Sequence, residues 1–357
     1  MLKNFVIFLI SVFLLCGCTS NCEKEVVTFS TWGSVTEVSV LKQLISDFEK
    51  ENPDIKIQLI HTPQNYFQKL HLLFASNTPP DVIFINNLYL PIYESQLENL
   101  SEFVNKKEFY QQALDGLTYD KKLLAIPRDI SNLVLYVNKD LISVKTDWSL
   151  EEMLTELKKT TNSNVWGISF EEDIYWAQPY LAYYGEEFNQ NYNSSTSKGL
   201  IFYKNLRDLY KVAPTKSQIG SSTLAQMFLD KKIALYLSGR WMYPKIKEQA
   251  NFNWEIASFP QGKSKTPCDS SGWAISKNSK HKDSAIKFVK YLSGQKGSEY
   301  FTKTGLIVPA RIESAKVLNT SENNEKVFLE VIKNSKNTFV TKNYKRMVDK
   351  FNSQNFN

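Results

Sequence analysis

The sequence predicts an α/β fold built around a mainly parallel sheet. Short apolar runs, such as Val82 to Ile85 and Ile233 to Leu237, have the length and composition of strands buried on both faces. They alternate with stretches whose apolar residues recur at helical spacing, the arrangement of βαβ units. The chain has 357 residues, 42% hydrophobic and 22% charged, an ordinary globular composition with enough length for one large core or two smaller ones.

Val26 to Phe29 reads as the first strand, with Ser30 to Gly33 as the turn after it. Val38, Leu41, Ile45 and Phe48 then mark one face of a helix that Asn52-Pro53 stops. Ile55 to Leu59 alternates as a strand, Tyr66 to Phe74 is a short amphipathic helix, and Val82 to Ile85 is a buried strand ending at Asn86-Asn87. No Gly-rich fingerprint follows any of these strands, so a dinucleotide site is not indicated. Further strands are expected at Leu123 to Ile126, stopped by Pro127, and at Val134 to Val137. Ser149 and Glu152 form a capping box that opens a helix over Leu150 to Leu157. Val165 to Phe170 reads as a strand and Gly199 to Tyr210 as a helix. Ile233 to Leu237 is a strand broken by Ser238-Gly239, with Arg240-Trp241 at its carboxyl end. Pro260 to Pro267 is a connection, Trp273 to Ser276 a strand, and Ala285 to Leu292 a helix. Helical stretches near Val327 to Ile332 and Tyr344 to Phe351 close the chain.

The amino terminus is a targeting signal. Lys3 precedes an apolar run from Phe5 to Leu15, too short for a permanent span of ~20 residues. It ends in Leu15-Cys16-Gly17-Cys18, which resembles the lipobox of bacterial lipoprotein signals. That resemblance implies cleavage before Cys18 and acylation of its sulfur. The expected division is then a signal over 1–17 and a tether over 18–25, with the protein outside the cytoplasm, lipid-anchored at the cell surface or in a periplasm. Cys22 and Cys268 are left, too few for a disulfide framework or a metal ligand set. The three histidines are scattered, and no metal or cofactor is expected. The net charge of +6 is spread along the chain, so no concentrated basic face offers itself to nucleic acid. Aromatic residues reach 13%, which supplies flat apolar surface for recognition.

Four segments carry a family resemblance. They are Thr31-Trp32-Gly33 with the helix ending Phe48 to Pro53, Pro80 to Ile83, Leu124 to Pro127 continuing through Leu135 to Leu141, and Lys232 to Tyr236 with Gly239-Arg240-Trp241. In order and spacing the chain resembles the sugar-binding group of bacterial extracellular solute-binding proteins, the group of maltose-binding protein. The resemblance implies a type II periplasmic-binding-protein-like fold: two α/β lobes linked by a hinge of three crossings. Carried over, the crossings fall near Ile130 to Leu133, Phe259 to Pro267 and Leu306 to Pro309. The first lobe would hold 26–130 and 265–308, the second 131–264 and 309–357. The implied function is capture of a mono- or oligosaccharide by a monomeric binding lipoprotein of an ABC importer, without catalysis, for delivery to a membrane permease.

A sugar needs amides, carboxylates and guanidinium groups for its hydroxyl rim and aromatic planes for its C–H faces. The positions that match the family's cleft are Trp32, Glu37, Asn86, Asn87, Asp129, Ser131, Trp176, Trp241, Gly272, Trp273 and Arg311. Other readings stand beside them. Trp241 alone reads equally as core, and so does Trp273 at the start of its strand. Glu37 reads also as a solvated helix residue, Arg128 with Asp129 as a structural pair, and Arg311 as a surface charge. Trp148, Trp166 and Trp254 read as core.

Two rival functions are weighed. Arg128, Arg240 and Arg311 have the chemistry to hold the phosphate of a polyol phosphate such as glycerol 3-phosphate. An exported carbohydrate-active enzyme is the other. Ser293-Gly294-Gln295-Lys296 and Lys303-Thr304-Gly305 echo penicillin-binding-protein motifs, but they lie too close together and lack the third motif between them. A surface adhesin or sensor of the same fold also remains open at this stage.

Overall fold

The computed structural model describes residues 24–320 and 324–356. The signal segment, Cys18 and Cys22 lie outside the described residues. The strands are β1 (Glu25–Thr31), β2 (Ile55–His61), β3 (Val82–Asn86), β4 (Thr118–Tyr119), β5 (Lys122–Leu123), β6 (Ile126–Ser131) and β7 (Val134–Asn138). They continue with β8 (Trp166–Ile168), β9 (Ile233–Ser238), β10 (Trp254–Ala257), β11 (Thr266–Ile275), β12 (Val308–Pro309) and β13 (Ser335–Asn337). One sheet runs in the order β12-β6-β11-β3-β1-β2, with β13 paired to the start of β11; the second runs β10-β7-β9-β8.

Local chemistry accounts for most of these elements. Ser34 and Glu37 close a capping box on the helix Val35–Glu51, and Asn52 ends it by donating its side-chain amide to Phe48 O at 2.8 Å. Ser149 and Glu152 cap the helix Leu150–Thr160 as the sequence pattern predicts. Strand β7 shows why a fully apolar run is needed in the second sheet. Val134 and Tyr136 face one core and Leu135 and Val137 the other, so both faces are covered.

The first sheet is mixed rather than mainly parallel. β1 pairs in parallel with β2 and β3, but β11 runs antiparallel between β3 and β6. β11 brings the chain back from the second sheet, so it enters from the cleft end and must run opposite to the outgoing strands. It is also longer than the sequence indicates, starting at Thr266 in what reads as a connection. β6 does not stop at Pro127 but passes through it to Ser131. Its pairing with β11 shifts there: Gly272 faces Pro127, and Ser271 faces Asp129. Arg128 is the extra residue of a bulge, a place where a strand tolerates proline.

The carboxyl end of the chain serves both sheets. Val308–Pro309, expected at a crossing, pairs with Ile130 and Asp129 and stays in the first sheet. Ser335–Asn337 pairs with Thr266 to Cys268, while the helix Tyr344–Asn355 buries Tyr344 and Phe351 in the core under the second sheet. The backbone pairing decides this, and no residue pattern announces so short a strand. The helix Ile174–Tyr183 is likewise unmarked, because nearly all its faces are buried and Pro179 sits inside it.

Candidate functional site

A cavity of about 270 Å³ opens between the two sheets. Trp32, Glu37, Asn86, Arg128, Asp129, Ser131, Ser271 and Val308 line it from the first sheet, and Arg240 and Trp241 from the second. Trp32, Asn86 and Ser131 lie at or just past the carboxyl ends of β1, β3 and β6, and Trp241 past β9. This is where open α/β sheets leave space for ligands.

The first-sheet wall is an aromatic base with an ion-pair lattice upon it. Trp32 rests on Phe84, Tyr66 and Phe67, with ring centres 4.2, 4.9 and 5.1 Å away. The Arg128 guanidinium, turned by the bulge, lies over Phe84 at 4.1 Å and Phe301 at 5.1 Å. It pairs with the Asp129 carboxylate and donates to Glu37 Oε1 at 3.2 Å. The other Glu37 oxygen accepts from Ser34 N at 2.9 Å, so one carboxylate caps a helix and holds an arginine. Burial pushes the Asp129 carboxyl above its ordinary value, and the Arg128 charge opposes that shift.

The second wall is built on the turn after β9. Arg240 is buried, paired with Glu325, and stacked between Tyr243 at 4.9 Å and Phe328 at 5.3 Å. Trp241 stands beside it, 37% exposed, and meets Trp176 edge-on with ring centres 6.4 Å apart. An aromatic face open to solvent therefore looks across at carboxylates, an amide and a hydroxyl. The arrangement suits a ligand with flat apolar faces and a rim of hydroxyls.

The structure brings together Trp32, Glu37, Asn86, Asp129, Ser131 and Trp241, with Trp176 behind Trp241. It does not bring the other four into the cavity wall. Asn87 is buried, donating to Asp269 Oδ1 and accepting from Ser270 N, both at 3.0 Å. Gly272 lets β6 and β11 approach: a Cβ there would lie 2.3 Å from Ile126 O. Trp273 is 0% exposed and packs against Phe29, Phe84 and Phe301. Strand alternation turns it into the core, the reading the sequence left open. Arg311 donates to Ser293 O at 3.0 Å and Glu108 Oε2 at 2.7 Å, and lines a separate cavity with Phe103 and Phe109. Ser271 and the segment Leu306 to Val308 line the cleft without being singled out as site residues, and Arg128 and Arg240, weighed for a phosphate and not for a sugar, line it too. Alternation puts Ser271 on the same face as the buried Trp273, and nothing local marks it or the segment Leu306 to Val308 as cleft.

A larger cavity, about 510 Å³, lies beside Glu171, Asp173, Lys216 and Asp349 in the second unit. It shares no lining residue with the cleft cavity. Asp173 is already used to cap the helix Ile174–Tyr183, accepting from Tyr175 N at 2.8 Å. Among the described residues, no helix is long and apolar enough to cross a membrane.

The chain matches the family described as bacterial extracellular solute-binding protein over residues 43–328. It is similar to the galactooligosaccharide-binding protein of Bacillus subtilis (strain 168), 23% identical over 303 residues, which span 78% of this chain and 72% of that protein. The maltodextrin-binding protein MdxE of the same organism is 27% identical over 337 residues, 85% of this chain and 78% of that one. An ABC substrate-binding protein from Listeria monocytogenes, solved in complex with cycloalternan, superposes with a TM-score of 0.82 at 24% identity, covering 93% of this chain and 92% of that one. Those likenesses carry the two-lobed type II fold expected from the sequence.

Proposed function

Because the chain belongs to the bacterial extracellular solute-binding family, we propose that it captures a neutral mono- or oligosaccharide in the cleft and delivers it to the permease of an ABC importer. The observation that carries the reading is Trp241, exposed on one wall and facing Asn86, Asp129 and Ser131 on the other. An aromatic plane opposite fixed polar groups is the pairing a sugar ring requires. The names of its relatives, which bind galactooligosaccharide and maltodextrin, support the same ligand class.

Charge separates this reading from a polyol phosphate. Arg128 already faces Glu37 and Asp129, Arg240 already faces Glu325, and Arg311 lies outside the cleft. A phosphate would have to compete with three buried or half-buried carboxylates for two guanidinium groups. The ligand is bound and released unchanged, and a saccharide turnover assay should give no product.

In this reading the chain turns about the passages near 131–133 and 258–265, with the residues after 309 contributing to both lobes. The monomer is anchored outside the cytoplasm by lipid on Cys18. A thermal-shift screen with maltotriose, cycloalternan, a galactooligosaccharide and glycerol 3-phosphate tests the ligand. A saccharide present at about 100 times its Kd should stabilise the fold by about 2.7 kcal/mol. A shift with glycerol 3-phosphate and none with saccharides would reverse the choice. Cys18→Ala should leave the precursor unprocessed or release the protein from membranes; wild-type protein free of lipid in the medium would remove the anchor.

A further inference from the structure

We propose that Gly239 is a positioning residue of the cleft: the space of its missing side chain is the seat of the Trp241 indole, and that seat sets how the ring meets a ligand. The inference rests on reading Trp241 as the stacking aromatic. Gly239 stands between β9 and the turn Arg240–Met242 with φ −100° and ψ −177°. That is extended backbone open to any residue, so conformational freedom does not account for a glycine here. Space does. A Cβ at 239 would lie 1.9 Å from Trp241 Cζ3, 2.3 Å from Cη2 and 2.4 Å from Cε3. Carbon atoms in contact stand ~3.5–4.0 Å apart. The six-membered ring of the indole therefore fills the volume any side chain at 239 would need.

The surroundings keep the two from drifting apart. The Tyr136 hydroxyl donates to Gly239 O at 3.0 Å and holds the backbone of the seat. Arg240, between glycine and tryptophan, is pinned by Glu325 and lies over Tyr243 and Phe328. Trp176 stands edge-on at 6.4 Å, with an interplanar angle of 70°. With alanine at 239 the ring has to leave its seat by more than an ångström to restore normal contact. A binding constellation holds its geometry to within about 0.5 Å, so a shift of that size takes the ring face out of register with a ligand.

The test compares wild type, Gly239→Ala, Trp241→Ala and the double variant, all as the full chain. Calorimetry uses whichever of maltotriose, cycloalternan and a galactooligosaccharide binds wild type most tightly. Indole emission and acrylamide quenching are read on the ligand-free proteins. Gly239→Ala should lose about 10-fold or more in affinity, and nothing further in the Trp241→Ala background. The emission contributed by Trp241, taken as the difference between each protein and its Trp241→Ala partner, should shift and become more open to acrylamide when residue 239 is alanine. Equal affinity losses in both backgrounds, or an unchanged Trp241 contribution, would overturn the seat. Wild-type affinity in Trp241→Ala would defeat Trp241 as the stacking aromatic, and no saccharide bound at all would defeat the carbohydrate reading; in either case the emission comparison still decides the seat. If Gly239→Ala does not fold, removal of the ring in the double variant should restore folding; a double variant that also fails overturns the inference.

Discussion

Tryptophans of one type divide into two roles by exposure. Trp241 keeps 37% of its surface in the cleft, while Trp273 has none. Trp241→Ala should cost ~2–4 kcal/mol of binding, roughly 30- to 1,000-fold in affinity, with the fold retained. Calorimetry reads the first and a thermal melt the second; near wild-type affinity would make Trp241 a structural residue. Trp273→Ala should do the reverse, destabilising the fold by ~3–5 kcal/mol while the folded fraction binds normally. Both residues read as core-or-cleft from sequence, because a large aromatic next to a strand end suits either. Only the direction in which the backbone turns each ring separates them.

At the scale of elements, the join between β6 and β11 concentrates the buried polar groups. Asp269 opposes Ser131 in that pairing and accepts from Asn87. Burial pushes its carboxyl above the usual carboxylate value, and the hydrogen bond from Asn87 pulls back. The native chain therefore holds the Asp269 proton more tightly than the unfolded chain does. Its contribution to stability is complete below the unfolded pKa of about 3.9 and is lost as pH rises through the folded value. Asp269→Asn keeps an acceptor for Asn87 and cannot ionise. Across melts from mildly acidic to neutral pH, wild type should lose stability relative to that variant as pH rises; a constant difference would show that Asp269 does not titrate in this window. The same scale holds the helix start at Ser34. Ser34→Ala removes the cap and should cost about 1 kcal/mol. The Ser34 N–H still donates to Glu37 Oε2 and Glu37 still accepts from Arg128, so ligand affinity should stay near wild type while the melting temperature falls.

For the whole molecule, the proposed capture implies closure. A ligand drives it only by binding the closed arrangement more tightly than the open one. Small-angle scattering should give a smaller radius of gyration at saturation with the best saccharide from the screen. An unchanged profile would count against two mobile lobes. The two sheets share more than a hinge: Glu325 pairs with Arg240 after β9 and Asn324 donates to Ile256 O at 2.9 Å, while Gln112, on the helix Gln111–Gly116 packed against β6 and β11, donates to Ile332 O at 2.9 Å. Residues from 324 onward therefore bridge the bodies that closure must move, and Glu325→Gln should alter the amplitude of the scattering change.

Pattern along the chain determined the strands β1, β2, β3, β7 and β9, the capped helices at Ser34 and Ser149, and the cleft positions at strand ends. Each depends on a local cause: apolar run length, helical period, a side chain bonding its own backbone, or a residue's place after a strand. Trp32, Asn86 and Trp241 were legible for that last reason, and Asp129 from the family resemblance alone. Tertiary structure alone decided the rest. The bulge at Arg128 arises from how β6 meets β11, and it is what carries a strand through Pro127 and turns a guanidinium toward Glu37. Arg240 joins the cleft through Glu325, a residue 85 positions away. Asn87, Trp273 and Arg311 leave it because their partners, Asp269, Phe29 and Glu108, are chosen by long-range packing. A side chain's neighbours across a fold depend on pairing register and chain direction, and neither is written in the residues on either side of it.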